Sequence, residues 1–246
     1  MEFNYPFTYE FYIKLINLLK EHNYVFSDYM DCNNSNKTVI LRHDIDNSID
    51  KALELAEVEA GQGVKSTYFV LLTSPFYNIF QKNNREKIKK IKSLGHDIGL
   101  HFDEENYDDS EMRFGIENLI YNEITAMESA LDIKVFSVSM HRPSKKTLES
   151  EYEFDRVINS YGKKFFKEYK YLSDSRRRWR EDIVNVIKSG EYTKIHLLTH
   201  AFWYNSNNIS LRESVESFIR KAGYERYDSY KDNFTNLEDI IERDEL

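Results

Sequence analysis

From residue 38 to residue 199, short apolar runs alternate with stretches of helical spacing. That alternation limits the chain to a mostly parallel sheet with helices packed outside it, either a barrel or an open α/β sheet. Strands are predicted over residues 39–43, 66–72, 96–102, 135–140, 169–172 and 194–199. Helices are predicted over 9–22, 49–60, 85–94, 111–131, 180–188 and 211–222, and residues 33–36 read as a polar loop. There is no internal repeat, low-complexity segment or linker, and the three prolines mark no boundary, so one domain over residues 1–246 is expected.

In folds of this kind chemistry collects at the C-terminal ends of the parallel strands. The polar residues obey that rule. Asp44 and Asp46 follow the first strand; His101, Asp103 and Glu105 the third; His141 and Arg142 the fourth; Asp174 the short one; His200 the last. In an extended chain residues i and i+2 face the same way, so Asp44 and Asp46 share a pocket. Two close carboxylates need a positive partner, and a metal ion is the usual one.

A catalytic zinc takes three protein ligands and leaves one position for water. Asp46 and His101 are the first two expected ligands, and Glu105, four residues on, is the expected third. Asp44 is then placed to take a proton from the water, with Arg142 orienting it. His200 is placed to protonate a leaving nitrogen, and Asp174 to tune that imidazole. His43, Trp179 and Trp203 are expected to contact substrate.

The motif order resembles a known family. Asp44-Ile45-Asp46, then Gly95 to His101, then His141-Arg142-Pro143-Ser144, then Leu197 to His200 is similar to the polysaccharide deacetylases, carbohydrate esterases with a NodB-homology domain. The resemblance covers residues 38–204. It implies a distorted (β/α) barrel and metal-dependent removal of an N- or O-acetyl group from a sugar. It also implies Asp44 as base, Asp46 and His101 as metal ligands, Arg142 as the arginine that orients the base, and His200 as general acid. Asp174 and Trp179 approximate the family's Asp/Trp motif. Two departures stand out: Ile45 separates aspartates that are usually adjacent, and Glu105 occupies the place of the second metal histidine.

Composition narrows the function further. A formal net charge of -8 argues against a nucleic-acid binder. Cys32 is the only cysteine, which excludes an intrachain disulfide and a cysteine-only zinc site. No apolar run is long enough to span a bilayer. With no signal segment in view, a cytoplasmic location is expected, as is a sugar, nucleotide-sugar or lipid-linked glycan substrate of surface-polysaccharide biosynthesis. The alternatives are a hydrolase of a non-sugar amide or cyclic imide, and an inactive carbohydrate-binding relative. The run Arg176-Arg177-Arg178 faces either an anionic sugar nucleotide or solvent.

Overall fold

The computed structural model describes residues 3–32, 36–113, 115–150 and 152–246. Two compact units result, Met1–Ser206 and Asn207–Leu246. In the first unit the elements run α1 (Tyr9–Glu21), β1 (Val25–Ser27), β2 (Thr38–Ile45), α2 (Ile49–Gly61), β3 (Thr67–Leu71), α3 (Lys82–Ser93), β4 (Asp97–Phe102), α4 (Asp109–Met112) and α5 (Ile116–Leu131). They continue through β5 (Ser137–Met140), α6 (Lys145–Glu149), β6 (Ile158–Asn159), β7 (Lys170–Ser173), α7 (Ile183–Ser189) and β8 (Lys194–Thr199).

The strands pair in the order β6-β5-β4-β3-β2-β8-β7, with β1 beside the start of β2, and every pairing is parallel. Among the described residues no pairing joins β6 to β7. This is the distorted (β/α) barrel that the motif order implies. Both faces of β2 are buried, as expected for a strand with helices on one side and the barrel interior on the other. Leu41, Ile45, Val70, Leu100, Val138 and Leu197 join the outer core with residues of α1, α2 and α5. Ile40 and Phe69 instead pack inside the barrel with Tyr29, Cys32, Phe165 and Tyr169.

Gly99 on β4 lies where strand and interior come closest. A Cβ there would lie 2.5 Å from the Phe69 ring and 2.8 Å from Ser137 Oγ, so the position excludes any side chain. Local signals set several helix starts. Thr8 caps α1 by accepting from the Phe11 amide, and Ser48 caps α2 by accepting from the Lys51 amide. The single helix predicted over 111–131 is instead two, α4 and α5, because Gly115 takes a φ of 88° that no continuing helix permits. Phe114 and residues 33–35 of the predicted polar loop lie outside the described residues.

The second unit is built on α8 (Leu211–Lys231), started by a reciprocal capping box between Ser210 and Glu213. It runs nine residues past the predicted end and carries Gly223 in its interior. Tyr227 is buried, and its hydroxyl donates to the carbonyl of Ile241 at 3.0 Å. Among the described residues no helix is long and apolar enough to cross a membrane.

Candidate metal centre and active site

Strand parity builds the site. Positions 42 and 44 on β2, 99 and 101 on β4, 137 and 139 on β5, and 196 and 198 on β8 alternate with residues of the outer core, so they face the interior. Asp46, His141 and His200 continue the same parity just past the ends of β2, β5 and β8.

Arg42 is fully buried on this face. Its Nη2 donates to both carboxylate oxygens of Asp44 at 3.0 and 2.7 Å and to Ser139 Oγ at 2.5 Å; its Nη1 donates to Ser160 Oγ at 2.9 Å. The guanidinium carbon also sits 5.1 Å from the Phe69 ring centre and 5.2 Å from that of Tyr161. Burial alone would raise the Asp44 pKa. The Arg42 charge, with His101 and His200 behind it, outweighs burial and holds the carboxyl below its usual value. Asp44 is therefore a carboxylate at neutral pH.

Next to it Asp46, His101 and His141 converge. Asp46 Oδ1 lies 3.3 Å from His101 Nε2 and 3.3 Å from His141 Nδ1, and the two ring nitrogens are 3.1 Å apart. Tetrahedral zinc with bonds of the usual length separates its ligand atoms by about 3.3 Å, so all three edges fit such an ion. Two further observations agree. Asp46 Oδ1 is buried with no hydrogen-bond partner. His101 Nδ1 is 3.3 Å from the Ser139 carbonyl, to which it donates, leaving Nε2 as the lone-pair nitrogen aimed at the cluster. Burial opposes ionisation of Asp46, yet the imidazoles of His101, His141 and His200 hold it well below the ordinary carboxylate range.

On the β8 side, His200 is locked by Asp174, which follows β7 and is fully buried. The Asp174 carboxylate accepts from the His200 amide at 3.0 and 3.2 Å and from His200 Nδ1 at 2.6 Å. Nε2 is left facing the site, 3.9 Å from Asp46 Oδ2. Burial pulls the imidazole pKa down, but the bond to Asp174 and the charges of Asp174, Asp46 and Asp44 push it up to about 9. One wall of the site thus carries a carboxylate, Asp44, and the other a protonated imidazole, His200.

The structure brings Asp44, Asp46, His101, Asp174 and His200 together and corrects four other expectations. Glu105 is not in the cluster. Asp103 caps a 3₁₀ turn over Glu104–Asn106, which carries Glu105 outward to pair with Arg142 Nη1 at 2.8 Å. His141 takes the expected third position. Arg142 does not reach Asp44; it is half exposed and bound to Asp103 at 2.5 Å, and the guanidinium on Asp44 is that of Arg42. His43 has the opposite parity and points away from the interior. It is fully buried, 2.8 Å from Glu59 Oε1 and 2.7 Å from Thr199 Oγ1, out of a substrate's reach. Glu59 there also accepts from Tyr12, Ser66 and Tyr68, so it is a saturated carboxylate behind β2. Trp179 is 2% exposed and part of the core. Trp203 is half-buried, its ring centre 6.4 Å from that of His200, and stays at the rim of the site.

No protein-family model matches the chain, and no curated protein matches it. Solved structures do. A family 4 carbohydrate esterase from Bacillus anthracis aligns with 16% identity and a TM-score of 0.46, covering 90% of this chain and 91% of its own. A family 4 pseudoenzyme from the same organism aligns at 15% identity and 0.44 over 77% of this chain, which spans 61% of that protein's length. A mutant of a Bacillus subtilis peptidoglycan deacetylase aligns at 11% identity and 0.45, covering 78% of this chain and 87% of its own. The three are an esterase, a pseudoenzyme of the same family 4 and a deacetylase, and the motif order resembles that group.

Proposed function

We propose that the chain is a metal-dependent hydrolase that removes an N-acyl group, in the first instance acetyl, from a sugar or glycan precursor. The observation that carries this reading is the Asp46, His101 and His141 triangle set between an ionised Asp44 and a protonated His200.

Asp46, His101 and His141 would hold a divalent ion, which would supply Lewis acidity toward water and the acyl carbonyl oxygen, and their oxygen and nitrogen donor set suits zinc. The residues supply the rest. Asp44 removes a proton from the attacking water, and Arg42 keeps Asp44 ionised and fixes its direction. The water oxygen bonds to the acyl carbon and the carbon–nitrogen bond breaks. His200 Nε2 delivers a proton to the departing nitrogen, while Asp174 holds Nδ1–H and the ring orientation. The products are an amine and a carboxylate. Trp203 at the rim offers an apolar face to a sugar ring.

The substrate class that fits the reading is a nucleotide sugar or lipid-linked precursor, handled on the cytoplasmic side of surface-polysaccharide assembly. All residues assigned a role lie in the first unit of the chain. The test joins metal analysis of the purified protein with acetate release from N-acetylglucosamine oligomers and from UDP-N-acetylglucosamine. Near-stoichiometric divalent metal and acetate release support the reading. No bound metal, and no turnover with added Zn²⁺, Co²⁺, Mn²⁺ or Ni²⁺, would sink it. Turnover confined to cyclic imides or ureides would move the chain to the non-sugar amide hydrolases.

A further inference from the structure

Behind β2, on the face turned away from the barrel interior, a polar network interrupts the apolar core. Its centre is Glu59 of α2, whose carboxylate accepts from Tyr12, Ser66 and Tyr68 at 2.5, 2.6 and 2.8 Å and from His43 Nε2–H at 2.8 Å. His43 Nδ1 in turn meets Thr199 Oγ1 at 2.7 Å. Glu59, His43 and Thr199 are each fully buried. Burial opposes ionisation of Glu59, yet His43, His96 and Ser66 hold its carboxyl down to about 2. Buried charged and polar groups cost desolvation, and apolar packing of similar volume often matches them in stability. What such a network adds is a fixed geometry.

The geometry fixed here is the junction of β2 with β8. His43 and Thr199 are register partners, the last pair of the two strands before they part. The residue after His43 is Asp44, and the residue after Thr199 is His200. Beyond that point the chain leaves β8 for a 3₁₀ turn over Ala201–Trp203. On the inner face Arg42 aims Asp44, and Asp174 holds the amide and ring of His200 from the β7 side. Neither of those contacts joins Asp44 to His200. The Thr199–His43 contact does, by tying the backbone positions that immediately precede them.

We propose that Thr199 and His43, backed by Glu59, are positioning residues of the hydrolysis: the hydrogen bond between them locks the last register pair of β2 and β8 and so sets the separation of Asp44 and His200. Neither side chain touches substrate; both act through the strands. Proton removal by Asp44 and proton delivery by His200 belong to one reaction at one acyl carbon, and a misplacement of about 1 Å between such groups costs on the order of 100-fold in rate. The inference rests on the functional reading above for the roles of Asp44 and His200, and it adds the side chains that hold the two in relation to each other.

The experiment compares metal-loaded wild type with Thr199→Val, Thr199→Ala and Thr199→Ser. It measures acetate release from N-acetylglucosamine oligomers, bound metal and melting temperature. Valine keeps the shape and suits a strand but has no hydroxyl; serine keeps the hydroxyl and loses the methyl group. Thr199→Val and Thr199→Ala are expected to lower kcat at least tenfold, with KM within about twofold of wild type and bound metal unchanged. Thr199→Ser is expected to keep kcat within about threefold of wild type. A merely structural role would lower the melting temperature and leave kcat of the folded protein alone, and that result overturns the proposal. Equal loss of kcat in the serine and valine variants, loss of metal with kcat, or failure of both hydroxyl-free variants to fold also overturns it. Wild type that binds metal but releases no acetate removes the hydrolase reading and this inference with it. Wild type that turns over beside an unaffected Thr199→Val removes the inference alone.

Discussion

Arg42 and Asp44 stand two residues apart on one strand and meet inside the barrel, the guanidinium giving both carboxylate oxygens hydrogen bonds of 3.0 and 2.7 Å. Both side chains are removed from solvent. A buried pair of this kind contributes less through net attraction than through what happens when it is broken, because the surviving charge is left without a partner. Arg42→Met is therefore expected to destabilise the fold by about 3–5 kcal/mol, read from urea unfolding. It also removes the charge that holds the Asp44 carboxyl down, so the acid limb of the pH–rate profile should move to higher pH. Arg42→Met combined with Asp44→Leu should recover much of the stability and none of the activity. A double variant as unstable as the single one would show that the cost lies in lost packing on Phe69 and Tyr161.

The proposed metal ligands separate by substitution. Asp46→Ala, His101→Ala and His141→Ala should each lose bound metal and activity, since each removes one corner of a triangle with edges of 3.3, 3.3 and 3.1 Å. Glu105→Gln should keep its metal, because its carboxylate faces Arg142 at the surface. Elemental analysis of the four proteins decides the matter: loss of metal in Glu105→Gln with retention in His141→Ala would reverse the assignment.

Much of this was readable from strand parity. The i, i+2 rule that pairs Asp44 with Asp46 also places Arg42 on their face and His43 on the other; the strand-end pattern and the motif resemblance both pointed to Arg142 instead. His141 was harder to find. It lies forty residues from His101, and only the pairing of β4 with β5, with His101 opposite Ser139, brings the two rings together. Glu105 had the attractive spacing of four residues, but Asp103 starts a 3₁₀ turn there and the geometry of a continuing helix never forms. Trp179 follows a turn with two left-handed residues, which no periodicity foretells. The barrel itself was legible because alternating strands and helices admit few arrangements; which side chains meet at its mouth depends on register, which a single sequence records weakly.

Glu123 provides a stability prediction away from the chemistry. It is buried on α5, its Oε2 has no hydrogen-bond partner, and its Oε1 accepts from the Tyr107 hydroxyl at 2.6 Å. Burial raises its pKa to about 7; the Tyr107 bond opposes this and the nearby Asp103 charge adds to it. With the folded value above the unfolded one, its contribution is fully present below pH ~4.5 and is lost as pH rises through 7. Glu123→Gln should therefore stabilise the protein by about 1–3 kcal/mol at pH 8 and have little effect at pH 5. Thermal melts of both proteins across that range test it, and a stability gap independent of pH would refute it.

His200 carries the corresponding prediction for the site. Its folded pKa of about 9 lies above the ordinary histidine value near 6.5, so the stability from its bond to Asp174 is fully present below pH ~6.5 and is lost as pH rises through 9. For so buried a group the effect in metal-free protein is about 3 kcal/mol. Asp174→Asn removes the carboxylate that accepts from both the amide and Nδ1, so the imidazole should titrate well below 9, and the proposed general acid should be lost at neutral pH. A divalent ion among Asp46, His101 and His141 cancels part of the negative charge facing Nε2 and should also lower the His200 value. Proton NMR of the imidazole signals, with and without added Zn²⁺, follows all three states. A His200 signal that titrates near 6.5 in the metal-free wild type, unmoved by Asp174→Asn, would remove Asp174 from its orienting role and leave the proton for the leaving nitrogen to come from elsewhere.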